Sequence, residues 1–318
     1  MRTRVWIALL VAALGWGSGG VATRAALDQG FEPVVTAGLR AVVAVGAVTV
    51  YLVASGRRPP TDRAVWRAGI VLGTTNLAIP FVLVTLAVQY ASAGFVGLII
   101  TNLAVGTALW SHVMLPTERL HVRKFVGLGV AATGVVVLVA SGDSGLASGG
   151  RPLLAIGLTL ISLTVDSFGV VYAKRLEGPI DTAALTFSQL VVGSIVIAII
   201  VPVTDGLPEA TTAGWLLVLY MGIASTALPF LLFYWALRHA PATIVALVGY
   251  LIPIVSLVLG VLLLDEQITI ALAVGGALIL GGVVLTERIE ASRARTTLAP
   301  GSPVVDLHSP PQPTTDPT

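Results

Sequence analysis

Ala78-Ile79-Pro80-Phe81-Val82-Leu83 and Ala227-Leu228-Pro229-Phe230-Leu231-Leu232 stand 149 residues apart (229 − 80 = 149) and share the pattern Ala-x-Pro-Phe. The register holds beyond the block, through Ala87/Ala236, Ala91/Ala240 and Ala93/Ala242. With the offset shortened by one residue, Val126-Gly127 and Gly134-Val135-Val136 recur as Val274-Gly275 and Gly282-Val283-Val284. One match of apolar residues means little where Ala, Val and Leu dominate. Several matches in near-constant register, with a shared Pro-Phe, mark an internal repeat.

Composition says where such a repeat sits. The chain has 318 residues, of which 56% are hydrophobic and 11% charged, with a mean hydropathy of +0.94; soluble domains carry about 25% charged residues. Its 34 glycines suit helices that approach closely in lipid. A net charge of +2 supports no nucleic-acid partner. The absence of cysteine excludes disulfides, thiol catalysis and Cys-ligated metal. No Gly-x-x-x-x-Gly-Lys-Ser/Thr loop is present to cradle ATP, and no cofactor is expected.

A bilayer crossing needs about 20 apolar residues. Apolar runs bounded by Gly, Pro or charge predict ten transmembrane helices, at 5–23, 34–54, 65–89, 94–115, 122–140, 153–173, 182–202, 213–237, 243–264 and 270–286. The run from Val5 to Ala22 follows Arg2 and Arg4 as a signal peptide would. It holds Trp16 and lacks a small-x-small cleavage site, so it is read as a retained helix. A tight turn at Tyr90-Ala91-Ser92-Ala93-Gly94 has to separate the third helix from the fourth, because together they are too long to cross once. Residues 288–318, with Pro310-Pro311-Gln312-Pro313, read as a disordered cytoplasmic tail.

Basic residues set the direction. With the N-terminus cytoplasmic, Arg57, Arg58, Arg63, Arg67, Arg119, Arg123, Lys124, Lys174, Arg175 and Arg238 fall inside, while Arg24 and Arg151 fall outside among Asp28, Glu32, Asp143, Asp205, Asp265 and Glu266. Five helices per half is an odd number, so the halves lie upside down relative to each other. The charges agree: the turn at Glu118-Arg119-Leu120-His121-Val122-Arg123-Lys124 is basic, and its counterpart Asp265-Glu266-Gln267-Ile268-Thr269 is not. The expectation is an all-α integral membrane protein with an inverted repeat at 1–142 and 143–287. It sits in a bacterial-type inner membrane with both termini cytoplasmic, and a homodimer is left open.

At this point the chain resembles the EamA-type members of the drug/metabolite transporter superfamily. Leu14-Gly15-Trp16-Gly17-Ser18, Leu39-Arg40, the two Pro-Phe blocks, Pro116-Thr117-Glu118-Arg119 and Leu264-Asp265-Glu266-Gln267 carry the likeness, over about residues 5–286. Two departures stand out. Pro253 aligns with Ala104, and the first acidic motif sits one residue later than the second.

Polar groups inside a bilayer are costly and therefore candidates for function. Asp166 is the single carboxylate well inside a predicted span, and is read as a proton-coupling or cation-binding group, or else as a helix fastener. Arg40 either snorkels or binds backbone carbonyls, or else attracts an anionic part of a substrate, and Gln189 takes its place in the second half. Asn76 and Ser225 are repeat equivalents placed four residues ahead of Pro80 and Pro229, which remove the donors their carbonyls would use. Trp16 aligns within a residue with Asp166, and Asn102 and Tyr250 occupy comparable places near Pro253. Tyr234 and Trp235 are read as interfacial anchors, and Glu118 and Glu266 as caps of the helices that follow them. Repeat and site together imply a secondary transporter exporting small metabolites such as amino acids. The rival classes are an intramembrane enzyme, which would need several convergent acids, histidines or a metal, and a channel or sensor.

Overall fold

The computed structural model describes residues 2–114, 122–142, 144–146, 150–176, 181–200, 211–239, 248–266 and 268–297, and every regular element among them is a helix. Helix α1 spans Arg2–Asp28 and α2 spans Pro33–Ala54. Helix α3 runs over Arg63–Tyr90 with a π turn at Gly73–Ala78, and α4 over Ala93–Met114 with a break at Thr101-Asn102. Then follow α5 (Val122–Ser141), α6 (Pro152–Arg175) and α7 (Thr182–Ile200). Helix α8 joins Thr212–Gly222 to Leu228–His239 through a second π turn, Ile223–Ala227, before α9 (Val248–Leu264) and α10 (Ile270–Thr297).

Among the described residues, seven helices are long and apolar enough to cross a membrane: α1, α2, α3, α4, α6, α7 and α8. Helices α5, α9 and α10 carry the shorter apolar stretches Gly129–Leu138, Leu251–Leu264 and Ile270–Gly282. Large hydrophobic side chains such as Val50, Val53, Ile199, Leu216 and Ile270 point outward, as lipid-facing positions must. The chain is an all-helical membrane protein.

Local chemistry explains the boundaries. Between α3 and α4 the chain turns in two residues: Ala91 is extended, and Ser92 caps α4 by accepting from the Phe95 N–H at 3.1 Å. Helix α1 runs past the predicted end near residue 23, and there Arg24 and Asp28 pair at 3.4 Å one turn apart. It stops at Gly30, whose φ of 88° is a left-handed cap. Helix α10 corrects the reading of the tail. The apolar run ends near residue 286, but Glu287-Arg288-Ile289-Glu290-Ala291 are good helix formers and the helix continues to Thr297. Residues 298–318 lie outside the described residues.

The helix contacts follow a rule. Helix α1 packs on α8 and α9, and α6 packs on α3 and α4; α2 packs on α8, and α7 on α3. Helix α2 also meets α7, α4 meets α9, and α5 meets α10. Exchanging each helix with the one five places along reproduces every contact just named. The pairs α4–α9 and α5–α10 run antiparallel: Gly94 faces Leu257 while Gly97 faces Pro253 and Ser256, and Gly134 faces Gly275 while Gly282 faces Gly127 and Ala131.

In the α5–α10 pair the glycines are what let two backbones touch. A Cβ on Gly134 would lie 2.6 Å from the Gly275 carbonyl oxygen, and one on Gly282 would strike the backbone of Gly127 and Ala131. Backbone cannot step aside as a side chain can. Gly282→Ile is therefore expected to force the two helices apart and to cost about 1–3 kcal/mol of stability, read as a lowered melting temperature in detergent. An unchanged melt would show that this face does not pack.

Candidate functional site

The two π turns sit just ahead of Pro80 and Pro229, at equivalent places in α3 and α8. Proline has no N–H, so an α-helical ladder leaves a carbonyl without a donor one turn earlier. The expectation was a simple kink that frees the carbonyls of Asn76 and Ser225. The ladder also widens at both places: the Ile79 N–H reaches back five residues to the Thr74 carbonyl, and the Leu228 N–H to that of Ile223. The extra residue bulges, and its polar groups turn toward neighbouring helices.

Arg40 meets the second of these turns. Its Nε donates to Thr226 Oγ1 at 2.6 Å, and one terminal nitrogen donates to the Ser225 carbonyl at 2.9 Å and to Ser225 Oγ at 3.2 Å. The guanidinium lies 4.3 Å over the Phe81 ring. Arg40 is buried at 9% exposure, so it does not snorkel to the surface. It gives the Ser225 carbonyl the one donor that Pro229 withholds, and its other terminal nitrogen has no hydrogen bond among the described residues.

Asn76, on the first π turn, meets Asp166 of α6. Its amide nitrogen donates to Asp166 Oδ1 at 2.5 Å and to the Asp166 carbonyl at 3.1 Å. Asp166 Oδ2 has no hydrogen bond among the described residues, and the side chain is only half-buried. A Cβ on Gly169 would strike Asn76 Oδ1 and Thr75 Oγ1, and one on Gly19 would strike Ser225 Oγ. These two glycines let α6 reach the first π turn and α1 the second.

An aromatic group lies between α1, α7 and α8. Trp16 packs edge-on against Phe230 and Phe233, with ring centroids 5.5 and 5.4 Å away. Phe230 stacks on Tyr234 at 6.2 Å, and the Tyr234 hydroxyl donates to Gln189 Oε1 at 2.9 Å. The Gln189 amide nitrogen is fully buried and has no partner among the described residues, a cost on the order of 1–3 kcal/mol unless something accepts from it.

The structure thus joins Arg40 to Ser225 and Asn76 to Asp166, and gathers Trp16 and Gln189 around Phe230 and Tyr234. It does not bring Asn102 to them. Asn102 bonds the Ile99 carbonyl at 3.1 Å where α4 breaks, on a crevice of about 420 Å³ between α4, α5 and α6 whose other walls include Val105, Leu109, Trp110 and Val136. The side chain of Tyr250 lies outside the described residues.

Four contributors escape a reading of the sequence: Phe81, Thr226, Phe230 and Tyr234. The repeated Pro-Phe was a signal for the first and third. Tyr234 corrects the expectation of an interfacial anchor, since it turns inward one turn after Phe230. Among the described residues no group of three His, Asp or Glu is placed to hold a metal.

Glu266 also corrects its expected role. It caps α4 rather than α10: Oε1 accepts from the Ala93 N–H at 2.6 Å and Oε2 from the Gly94 N–H at 3.2 Å. Thr269 caps α10, its Oγ1 accepting from the Leu272 N–H at 3.2 Å. Burial holds the Glu266 carboxyl above the usual carboxylate range, against the two N–H groups, Ser92 and Arg24, which favour the charged form. Glu118 lies outside the described residues.

An all-helical membrane bundle whose polar and aromatic groups converge between helices has the build of a transport protein. The family model for the EamA-like transporter family matches the chain over residues 3–140 and again over 153–288, and the chain belongs to that family. It is 28% identical over 287 residues to the uncharacterized transporter YvbV of Bacillus subtilis, covering 89% of this chain and 92% of that one. It is 27% identical over 275 residues to protein PecM of Dickeya dadantii, covering 85% and 88%. The uncharacterized inner membrane transporter YedA of Escherichia coli is 25% identical over 260 residues, 80% of either chain. A solved crystal structure superposes with a TM-score of 0.63 at 20% identity, covering 90% of this chain and 99% of the other, which speaks to the fold alone. YvbV and YedA are both named as transporters.

Proposed function

We propose that the chain is a secondary transporter that exports small metabolites such as amino acids by alternating access, with Asp166 as its proton-coupling group. Ten transmembrane helices form two inverted repeats, residues 1–142 and 143–287, in an inner membrane with both termini cytoplasmic. The substrate lies between the repeats, against Trp16, Arg40, Asn76, Asp166, Gln189 and Ser225. One observation carries this reading. Two equivalent π turns are each met by an ionisable residue from another helix, Arg40 directly on one and Asp166 through Asn76 on the other. The exchange of helix contacts five places along the chain and the antiparallel α4–α9 and α5–α10 pairs support the inversion. Such repeats rock against each other around a midplane site.

Comparing extracellular metabolites of deletion and overexpression strains, followed by uptake into proteoliposomes with the solutes that change, tests transport. Saturable flux with counterflow is the expected result; linear flux without counterflow would indicate a channel, and no flux a sensor or enzyme. The inversion has its own test, for which a chain without cysteine is convenient. Glu118→Cys and Ile268→Cys are expected to react with an impermeant maleimide from opposite sides of the membrane. Reaction of both from one side would sink the inverted repeat.

A further inference from the structure

At the Asp28 end of the bundle several helices are tied to one short turn. The Ser92 N–H donates to the Ser144 carbonyl at 2.8 Å, the Arg151 N–H to the Tyr90 carbonyl at 2.8 Å, and Arg24 to the Val88 carbonyl at 3.2 Å. All three bonds tie the turn to elements of residues 1–176. Glu266 is different, because it reaches the turn from the loop between α9 and α10.

Its geometry is built for that reach. Asp265 holds a left-handed conformation, φ 52°, unusual for a residue with a side chain. This folds the chain back so that the Glu266 N–H bonds the Gly260 carbonyl at 3.2 Å. The carboxylate then lies against Gly260, where a Cβ would strike Oε2, and enters the bundle at 8% exposure. It ends on the first N–H groups of α4, where a carboxylate meets the positive end of the helix dipole. Directly beneath, Ser256 Oγ on α9 donates to the Ala93 carbonyl at 3.0 Å, and Gly97 packs on Ser256. The contact therefore closes the seam between α4 and α9, which lie in different halves of the chain.

We infer that Glu266 is a latch for the transport cycle: its carboxylate, seated on the Ala93 and Gly94 N–H groups, holds the Asp28 end closed and must let go of α4 before that end opens. The inference rests on the alternating-access reading and adds to it a residue that touches no substrate. It explains why a carboxylate that could stay in water is buried on another helix. Both bonds join surfaces that rocking would separate, so they form and break together.

The test reads the seam and not transport, so it stays separable from the proposed function. Ser256→Cys, 3% exposed in the native seam, is the reporter, and Leu185→Cys, 7% exposed and packed against Ala68 and Leu72 nearer the Arg4 end, is the control. Each is made in the full chain, purified in detergent so that both ends meet the same maleimide. Adding Glu266→Gln, which removes the charge and one acceptor, is expected to speed modification of Ser256→Cys about tenfold, the shift produced by about 1.4 kcal/mol of lost closure. The rate at Leu185→Cys should stay at or below the parental value. Glu266→Asp, one methylene short of the two N–H groups, should raise the Ser256→Cys rate as well and guards against a folding artefact of the first variant. An unchanged rate at Ser256→Cys in both variants overturns the latch. An equal rise at both reporters overturns it too, because that is general loosening. A selective rise in a protein that carries no flux would leave Glu266 as the tie that closes this end but overturn its place in a transport cycle, because the transport reading itself would then fall.

Discussion

Asp166→Asn is expected to reduce pH-gradient-driven counterflow in proteoliposomes to the level of protein-free vesicles while leaving the bundle folded. The two side chains have the same shape, and the oxygen of the new amide still accepts from Asn76, so the α3–α6 contact that now spans 2.5 Å survives. What disappears is a group that binds and releases a proton. Exchange of substrate for substrate, which needs no net proton movement, should persist in the variant at a measurable rate. That contrast separates a coupling role from a fastening one: a fastener would lower both fluxes and the melting temperature together. Full gradient-driven transport by Asp166→Asn would remove this carboxylate from the mechanism.

Arg40→Met should act through the other π turn. Methionine fills much of the volume beneath Phe81 but donates nothing, so the Ser225 carbonyl loses its donor inside the bundle, while Thr226 Oγ1 keeps only its bond to the Met221 carbonyl. Stranding a buried carbonyl costs about 1–3 kcal/mol, and a clear fall in melting temperature in detergent should accompany a loss of flux of at least about tenfold, the equivalent of 1.4 kcal/mol. Arg40→Lys keeps the charge but replaces a planar fork by a point donor, and should recover part of the stability and less of the transport. A variant with parental melting and parental flux would show that the π turn needs no outside donor.

How far this could be read from sequence alone differs between the fold and the site. Ala78-Ile79-Pro80-Phe81 and its copy located the two central helices, and Tyr90-Ala91-Ser92 located the turn after the first of them, because apolar runs, proline and a capping serine act within a few residues. Burial cost alone singled out Arg40 and Asp166. Their partners stayed hidden. Arg40 bonds residues 185 and 186 positions away, and Glu266 caps a helix 173 positions earlier, so no local pattern announces either contact.

Tyr234 shows why direction matters as much as identity. A tyrosine near the end of an apolar run reads as an anchor at the lipid surface, yet the π turn behind it rotates the last part of α8 relative to an unbroken helix, and its hydroxyl lands on Gln189. The tail errs for the opposite reason: loss of apolar residues near position 286 ended a span but not a helix, since propensity and hydrophobicity are separate properties.

The amino-acid sequence by itself determined that this chain lives in a bilayer, where its apolar runs lie, that the sequence of one half recurs in the other, and which costly polar residues fall within those runs. All of these follow from hydrophobicity and backbone rules that act over a few neighbouring residues. Only the tertiary structure decided that the prolines are absorbed in π turns, that Arg40 and Asp166 address different ones, and that Glu266 closes on α4. Those outcomes depend on which helices lie side by side, a property of packing between segments far apart in the chain.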